Sequence, residues 1–315
     1  MADDHSAKAT AGESPEPLHP NHPVRAEMDL IEAGGFGPAA PAIRPGVVVR
    51  LTRNVRRITA SNPGYMTGPG TNTYILGDDD DLAIVDPGPL LDDHIAALLA
   101  LGGRITRIFV THTHPDHSPA AAVLKQATGA TLLGLVPPIG EHQDQSFRPD
   151  RVLAHGERVA FGGFNIRVIH TPGHASNHLC YLLEEDRLLF TGDHVMQGST
   201  VVISPPDGDM AAYIDSLRLL EGEPIDYFAP GHGFLIGRPF EWLGLLVRHR
   251  FLRENKVLTA VEALGPATIE TLTPVVYDDV PPFKHAWAAR SLHAHLLKLV
   301  TDGAVVERDG AWTAL

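Results

Sequence analysis

The stretch that decides the fold runs from an apolar segment into a histidine cluster, Ile108-Phe109-Val110-Thr111-His112-Thr113-His114-Pro115-Asp116-His117. The apolar segment predicts a strand, and side chains two residues apart on an extended chain point the same way. His112 and His114 can therefore face one metal ion, while Asp116 and His117 turn towards a second position. Four residues of metal-ligating type within six positions are hard to explain as a solvated turn, so the motif predicts a metal site.

The residues after the cluster suit the start of a helix. Ser118 is a favourable N-cap and Pro119 a favourable first helical residue. We therefore expect the motif at the point where a strand passes into a helix.

Three further candidate ligands each follow a predicted strand and stand in a glycine-containing turn. They are His174 after Thr171-Pro172-Gly173, Asp193 after Thr191-Gly192, and His232 after Pro230-Gly231. Taken singly, each would be read as a capping or surface residue. Strand ends that collect at one rim are where such sheets carry functional residues, so together they predict a shared site.

Short strands alternate with helices through most of the chain, which predicts an α/β architecture of packed sheets. The predicted strands are 47–51, 72–76, 82–86, 107–111, 165–169, 179–183, 188–190 and 226–229, and the predicted helices are 91–101, 118–127 and 210–220. Asp209 is expected to cap the last of these helices.

The pattern changes from residue 245 onwards. Helices at 245–264, 267–272 and 284–300 precede two strands at 303–307 and 310–314, the order of a winged helix. We therefore predict a flexible N-terminal arm (1–45), a catalytic domain (46–244) and a winged-helix domain (245–315). The last contains eight Lys or Arg and eight Asp or Glu, so no basic face for DNA is expected. We expect it to pack on the catalytic domain and to shape the pocket or a homodimer contact.

The bulk properties limit the partners and the compartment. The 315 residues carry a formal net charge of −13, which disfavours a broad nucleic-acid footprint. The single cysteine, Cys180, lies in an apolar strand and is expected to be a buried thiol. No apolar stretch is long enough to cross a membrane and no basic-then-apolar leader begins the chain, so we predict a cytoplasmic protein.

These motifs, together with Ile84-Val85-Asp86-Pro87-Gly88, resemble the metallo-beta-lactamase superfamily over residues 47–240. The resemblance implies a four-layer αββα sandwich with two divalent metal ions, zinc being favoured, at one edge. It assigns His112, His114 and His174 to the first metal, Asp116, His117 and His232 to the second, and Asp193 to both. A hydroxide between the metals would be the nucleophile, and Asp116 would orient it or carry a proton. Asp86 fits either support of a ligand histidine or a turn cap.

The residues at two positions distinguish this chain from two subgroups of the superfamily. Antibiotic lactamases that use zinc commonly have a cysteine at the position of Asp193, and flavin-partnered di-iron members usually have a glutamate at that of His114. The segment 68–74 and the winged-helix pattern resemble the lactamase-beta-like branch, which includes relatives of glyoxalase II and a single-strand endoribonuclease.

The leading hypothesis is a dinuclear hydrolase of a small ester, thioester or lactone. One alternative is a single-strand endoribonuclease, which would need a basic or aromatic track near the metals. Another is a sulfur dioxygenase with one iron. A metal-stabilised scaffold without activity is disfavoured, because a structural zinc needs only four ligands. Candidate substrate contacts are Asn72, Tyr74, His178 and Thr200, with a buried structural role as the alternative for His178.

Overall fold

Two β-sheets pack face to face in the computed structural model, which describes residues 43–77 and 80–315. The first sheet has seven strands in the order β1 to β7: Val49–Arg50, Val55–Thr59, Asn72–Leu76, Leu82–Val85, Ile105–Phe109, Thr131–Gly134 and Arg151–Val152. The second has five in the order β12-β11-β10-β9-β8, where β8 to β12 are Arg158–Phe161, Phe164–His170, Leu179–Leu183, Leu188–Gly192 and Tyr227–Pro230.

Successive residues along each strand alternate between the inner and the outer face of its sheet. Tyr74 and Tyr181 belong to the core between the sheets, whereas their neighbours Ile75 and Cys180 pack in the two outer clusters. Because both faces of each sheet are apolar, each sheet also needs a layer of helices on its outside. Cys180 is fully buried, as predicted.

Helices cover the outer face of each sheet. The first sheet is covered by α1 (Asp92–Leu99) and α2 (Ala120–Thr128), and the second by α3 (Met210–Leu220) and the start of α4 (Pro239–Leu264). The layers therefore follow the order helix, sheet, sheet, helix, which confirms the expected αββα sandwich. No helix in the described part of the chain is long and apolar enough to cross a membrane.

The C-terminal elements build a separate apolar cluster with the second half of α4. They are α5 (Ile269–Val276), a 3₁₀ turn (Pro282–Lys284), α6 (His285–Thr301) and the hairpin of β13 (Val305–Arg308) and β14 (Ala311–Ala314). Three helices followed by a hairpin confirm the predicted winged-helix pattern.

Several element boundaries differ from the predictions. Strands β2, β6, β7 and β8 were not predicted, since β2 carries two arginines and the others are short. Helix α4 begins at Pro239 and not at residue 245, so one continuous helix crosses the predicted boundary at 244/245. The division into domains stays a prediction. Residues 1–42 of the predicted N-terminal arm lie outside the described part of the chain.

The structure shows whether the two predicted N-cap residues, Asp209 and Ser118, cap their helices. Asp209 accepts a hydrogen bond from the Ala212 amide at 2.8 Å and caps α3, as predicted. Ser118 does not cap α2, which begins at Ala120. Its hydroxyl donates instead to Asp144 Oδ2 at 2.7 Å and ties the metal-motif loop to a neighbouring loop.

Candidate metal centre

All seven predicted ligands lie in loops at one edge of the sandwich. They follow the carboxyl ends of β5, β9, β11 and β12. Because β11 and β12 run parallel, the loops carrying Asp193 and His232 leave the second sheet on the same side. The strand order therefore brings together four motifs that are up to about 120 residues apart in the sequence.

The first group of donors is made of three histidines. His114 Nδ1 lies 3.0 Å from His112 Nε2 and 3.0 Å from His174 Nε2. All three nitrogens are within 4.8 Å of one another, close enough to share one ion.

The second group combines a carboxylate with two histidines. Asp116 Oδ2 lies 3.3 Å from His117 Nε2 and 3.3 Å from His232 Nε2. These donor atoms also lie within 4.8 Å of one another.

Asp193 stands between the two groups. Its Oδ1 lies 3.4 Å from His117 Nε2 and 3.3 Å from His232 Nε2, whereas its Oδ2 lies 3.8 Å from His174 Nε2. One carboxylate oxygen is thus directed to each group, the arrangement needed to bridge two cations.

Four of the five histidines have their other ring nitrogen held by an oxygen. His112 Nδ1 lies 3.0 Å from Thr111 Oγ1, His174 Nδ1 lies 2.8 Å from the Val202 carbonyl, and His232 Nδ1 lies 3.2 Å from the Gly70 carbonyl. His117 Nδ1 lies 2.9 Å from Asp86 Oδ2. Each Nδ1–H donates to its oxygen, which leaves the Nε2 lone pair directed into the site.

Asp86 supports both the ligand and its loop. Its carboxylate accepts hydrogen bonds from the Thr111 amide and the Thr111 hydroxyl, both at 2.7 Å, in addition to His117. The geometry shows the supporting role for a ligand histidine that the sequence left open for Asp86.

The donor atoms fit a metal better than they fit each other. The buried atoms His117 Nε2 and Asp193 Oδ1 have no hydrogen-bond partner in the described structure. Lone pairs of His112 and His174 both face His114 Nδ1, which can supply a proton to only one of them. Buried polar atoms without partners are costly, and a bound cation would satisfy them together.

The electrostatics differ between the two groups. Burial lowers the pKa of His112 well below its ordinary value and that of His114 to about 3. Although burial opposes protonation, the carboxylates around the second group raise the pKa of His117 well above its ordinary value and that of His232 to about 9. The first group therefore offers neutral nitrogens and the second adds carboxylates, and both kinds of donor bind divalent cations.

A cavity of about 560 Å³ opens from these donors. Its lining includes His174, Asp193 and His232 together with residues of α4, α6 and the 277–281 loop. Its volume lies within the usual range for small-ligand pockets. The C-terminal elements therefore form one wall of the pocket, as expected.

Asn72 and Tyr74, two of the predicted substrate contacts, lie in the interior, and His178 occupies the buried structural position that was its alternative. Asn72 donates to the Gly233 carbonyl at 2.8 Å, Tyr74 donates to the Pro230 carbonyl at 2.8 Å, and His178 lies 2.9 Å from Thr171 Oγ1. All three are buried and none lines the cavity. They hold the loops that carry His232 or His174. Thr200 does line the cavity.

The sequence reading missed the aromatic and basic residues of the cavity. Tyr65, Lys284 and Trp287 line it together with Arg250 and Arg253. They come from segments more than 180 residues apart, so no local motif indicates them. The local sequence signal was the pair of aromatic residues near Lys284, Phe283 and Trp287.

The comparisons with known proteins agree with this geometry. Residues 66–232 match the metallo-beta-lactamase superfamily, and residues 268–312 match the beta-lactamase associated winged helix domain. A beta-lactamase-like protein 2 homolog from Caenorhabditis elegans is 30% identical over 82% of this chain and 88% of its own length. An atrochrysone carboxyl ACP thioesterase from Passalora fulva is 32% identical over 72% of this chain and 67% of its own length.

A solved structure shares the fold. It is a beta-lactamase domain protein from Burkholderia ambifaria, with a TM-score of 0.73 at 20% identity over 88% of this chain and 96% of that chain. The matched family region, the winged-helix match and the convergence of the donor atoms lead to one conclusion. The chain belongs to the metallo-beta-lactamase superfamily and is a metal-dependent hydrolase with an associated winged-helix domain.

Proposed function

We propose that the chain hydrolyses a small ester, thioester or lactone with two divalent metal ions, zinc being the favoured metal. The observation that carries the proposal is the position of Asp193, with one carboxylate oxygen directed to each donor group. Five histidines and two aspartates, without a thiolate, are ligands that suit zinc. The fungal relative whose name is a thioesterase supports a thioester within this class.

The chemistry divides between the metals and the chain. Two bound metal ions would lower the pKa of a water molecule and stabilise the negative charge that develops on the substrate oxygen. Hydrolysis joins the water oxygen to the acyl carbon, breaks the carbon–sulfur or carbon–oxygen bond, and leaves the proton on the departing thiol or alcohol.

Asp116 lies where its carboxylate can orient the attacking water. Its Oδ2 accepts a hydrogen bond from Thr71 Oγ1 at 3.1 Å and lies beside His117 and His232. The neighbouring histidines hold the pKa of Asp116 well below its ordinary value although burial opposes this, so the carboxylate is ionised and can accept a hydrogen bond that orients the water.

The single-strand endoribonuclease remains a second candidate, because the cavity carries the aromatic and basic residues that such an activity needs. Tyr65, Lys284 and Trp287 are the observation that favours it. We place it second because the chain has a net charge of −13, which disfavours a broad phosphate-binding surface. Activity on RNA would fall steeply with salt, whereas hydrolysis of a neutral thioester would not.

Metal content tests the mechanism and the sulfur dioxygenase alternative together. We expect about two zinc ions per chain, and we expect Asp193→Ala to lose metal and thioesterase activity together. Asp215→Ala is the matched control, since Asp215 is an exposed residue of α3 outside the site. A single iron per chain, retained in Asp193→Ala, would contradict the dinuclear hydrolase.

Substrate panels test the reaction class. The zinc-loaded protein is assayed with simple thioesters, lactones and short single-stranded RNA, before and after treatment with a chelator. We expect hydrolysis of at least one small acyl substrate, lost on chelation and restored by zinc. Cleavage of RNA alone would reject the small-substrate proposal.

A further inference from the structure

Three aromatic rings meet beside the cavity, and two of them, Tyr65 and Trp287, line it. The ring of Tyr65 lies 5.5 Å from that of Phe283 and 6.1 Å from that of Trp287, centroid to centroid. Tyr65 and Phe283 are 77% and 60% exposed, respectively. Large apolar rings gathered at a surface next to a pocket are typical of a binding site, since their exposure to water is unfavourable without a ligand.

Lys284 places a positive charge on these rings. Its Nζ lies 6.0 Å from the centre of the Tyr65 ring and 5.9 Å from that of Phe283. Within residues 43–77 and 80–315, no carboxylate forms an ion pair with Lys284. By contrast, Arg253 in the same cavity is bound by Asp279 at 2.8 and 3.0 Å. The charge of Lys284 is therefore available to a ligand, whereas that of Arg253 is already neutralised.

The rings and the lysine share one cavity with the metal ligands. Tyr65, Lys284 and Trp287 line the same space of about 560 Å³ as Asp193 and His232. A molecule that fills this space can contact the rings with one end and present an acyl carbon to the metal donors with the other. The volume lies in the usual range for small-ligand pockets, which favours a small molecule.

We propose that Tyr65, Trp287 and Lys284 form a recognition subsite for a flat aromatic group that carries one carboxylate. The rings stack on the aromatic group, and the ammonium of Lys284 pairs with the carboxylate. This inference rests on the proposed hydrolase for the reacting end of the molecule, and it names the substrate class as an aromatic, carboxylate-bearing ester or thioester.

Binding of three non-hydrolysable probes tests the subsite. Isothermal titration of the metal-loaded protein compares 2-naphthoate with 2-naphthamide, which lacks the charge, and with decahydro-2-naphthoate, which lacks the flat ring. We expect 2-naphthoate to bind best. Lys284→Met should reduce its advantage over 2-naphthamide about three- to tenfold, and Trp287→Leu should reduce its advantage over the saturated acid by a similar factor.

Matched controls separate the subsite from general effects. Arg290→Met removes an exposed charge from α6, the helix that carries Trp287, and Phe240→Leu removes an exposed ring, both outside the cavity. Neither should change the preferences. An unchanged preference for 2-naphthoate in Lys284→Met would overturn the proposal, since the metals alone would then hold the carboxylate.

An RNA ligand is a distinguishable outcome. If a short oligouridylate displaces 2-naphthoate at lower concentration, and its affinity falls with salt more steeply than that of a monoanion, the subsite reads nucleotides and the proposal is overturned.

The subsite and the hydrolase can also fail separately. Ring and charge preferences without hydrolysis of any thioester would reject the proposed function and leave the subsite standing. Hydrolysis with no discrimination among the corresponding acyl groups would do the reverse.

Discussion

His174 donates from Nδ1 to the main-chain carbonyl of Val202 at 2.8 Å. The residues on either side of Val202 are held by the C-terminal helices. Arg250 donates to the Val201 carbonyl at 2.6 Å, and the Ile203 amide donates to Ser291 Oγ at 3.2 Å. Helices α4 and α6 thus fix the peptide that orients a candidate metal ligand, so the C-terminal elements support the site as well as enclosing it.

Replacement of Arg250 should therefore weaken metal binding at the first group of donors. Arg250 is 3% exposed, and methionine keeps its apolar stem while removing the hydrogen bond to Val201. Loss of a group that supports a ligand lowers metal affinity about 10- to 100-fold, and we expect the lower end because Arg250 acts through one further residue. Competition with a zinc-sensitive dye measures the dissociation constants. Equal zinc affinity in Arg250→Met and the Arg290→Met control would contradict this role.

Asp86→Asn should release metal from the second group while the fold survives. Asp86 has a φ of +51°, a conformation that asparagine tolerates well, so the backbone is not strained by the change. The amide loses the negative charge beside His117 Nδ1 and cannot accept all three hydrogen bonds. We expect a loss of about 10- to 100-fold in metal affinity.

The measurement for Asp86→Asn is the metal content after dialysis, with circular dichroism as the check on folding. A variant that retains both metals at wild-type affinity would show that the carboxylate charge is not needed to hold His117.

Gly231→Ala should damage the site by steric contact. A Cβ at residue 231 would lie 2.6 Å from Asp193 Oδ1 and 2.7 Å from His117 Cε1, so both ligands would have to move. Gly244→Ala is the control, because a Cβ there meets nothing within 4 Å and alanine is favoured in a helix. We expect loss of metal and activity in the first variant and unchanged activity in the second. Full metal occupancy in Gly231→Ala would contradict the prediction.

His94 should make the fold sensitive to mild acid. It lies 2.9 Å from Thr73 Oγ1, and burial lowers its pKa from an ordinary 6.5 to about 4. Because the folded pKa is depressed, the stabilisation by neutral His94 is present above pH 6.5 and is lost as the pH falls from 6.5 to 4. The difference corresponds to about 3 kcal/mol in the free energy of unfolding.

Urea unfolding of the chelator-treated protein across this pH range measures the effect, since removal of the metals excludes their own acid release. His94→Gln has no titrating group and should show a shallower loss of stability between pH 6.5 and 4. Identical pH profiles for the two proteins would show that His94 does not carry this dependence.

The candidate ligands could be predicted from the sequence because each follows an apolar strand or stands in a glycine-containing turn. His112 to His117 follow an apolar strand, and His174, Asp193 and His232 stand in glycine turns after other strands. The sequence could not predict where Asn72 and Tyr74 lie. Their polar groups suggest a pocket, but they are buried and hold the main chain around Pro230 and Gly233.

The sequence by itself determined the alternation of strands with helices and the candidate ligands, and its resemblance to the superfamily supplied the αββα fold and the reaction class. The local patterns depend on short-range features, namely strand periodicity, turn chemistry and ligand spacing within one loop. The tertiary structure alone decided which residues line the cavity and brought Tyr65 into contact with Phe283 and Trp287. Those relationships join segments far apart in the chain, and they follow from how the C-terminal helices pack against the loops of the sandwich.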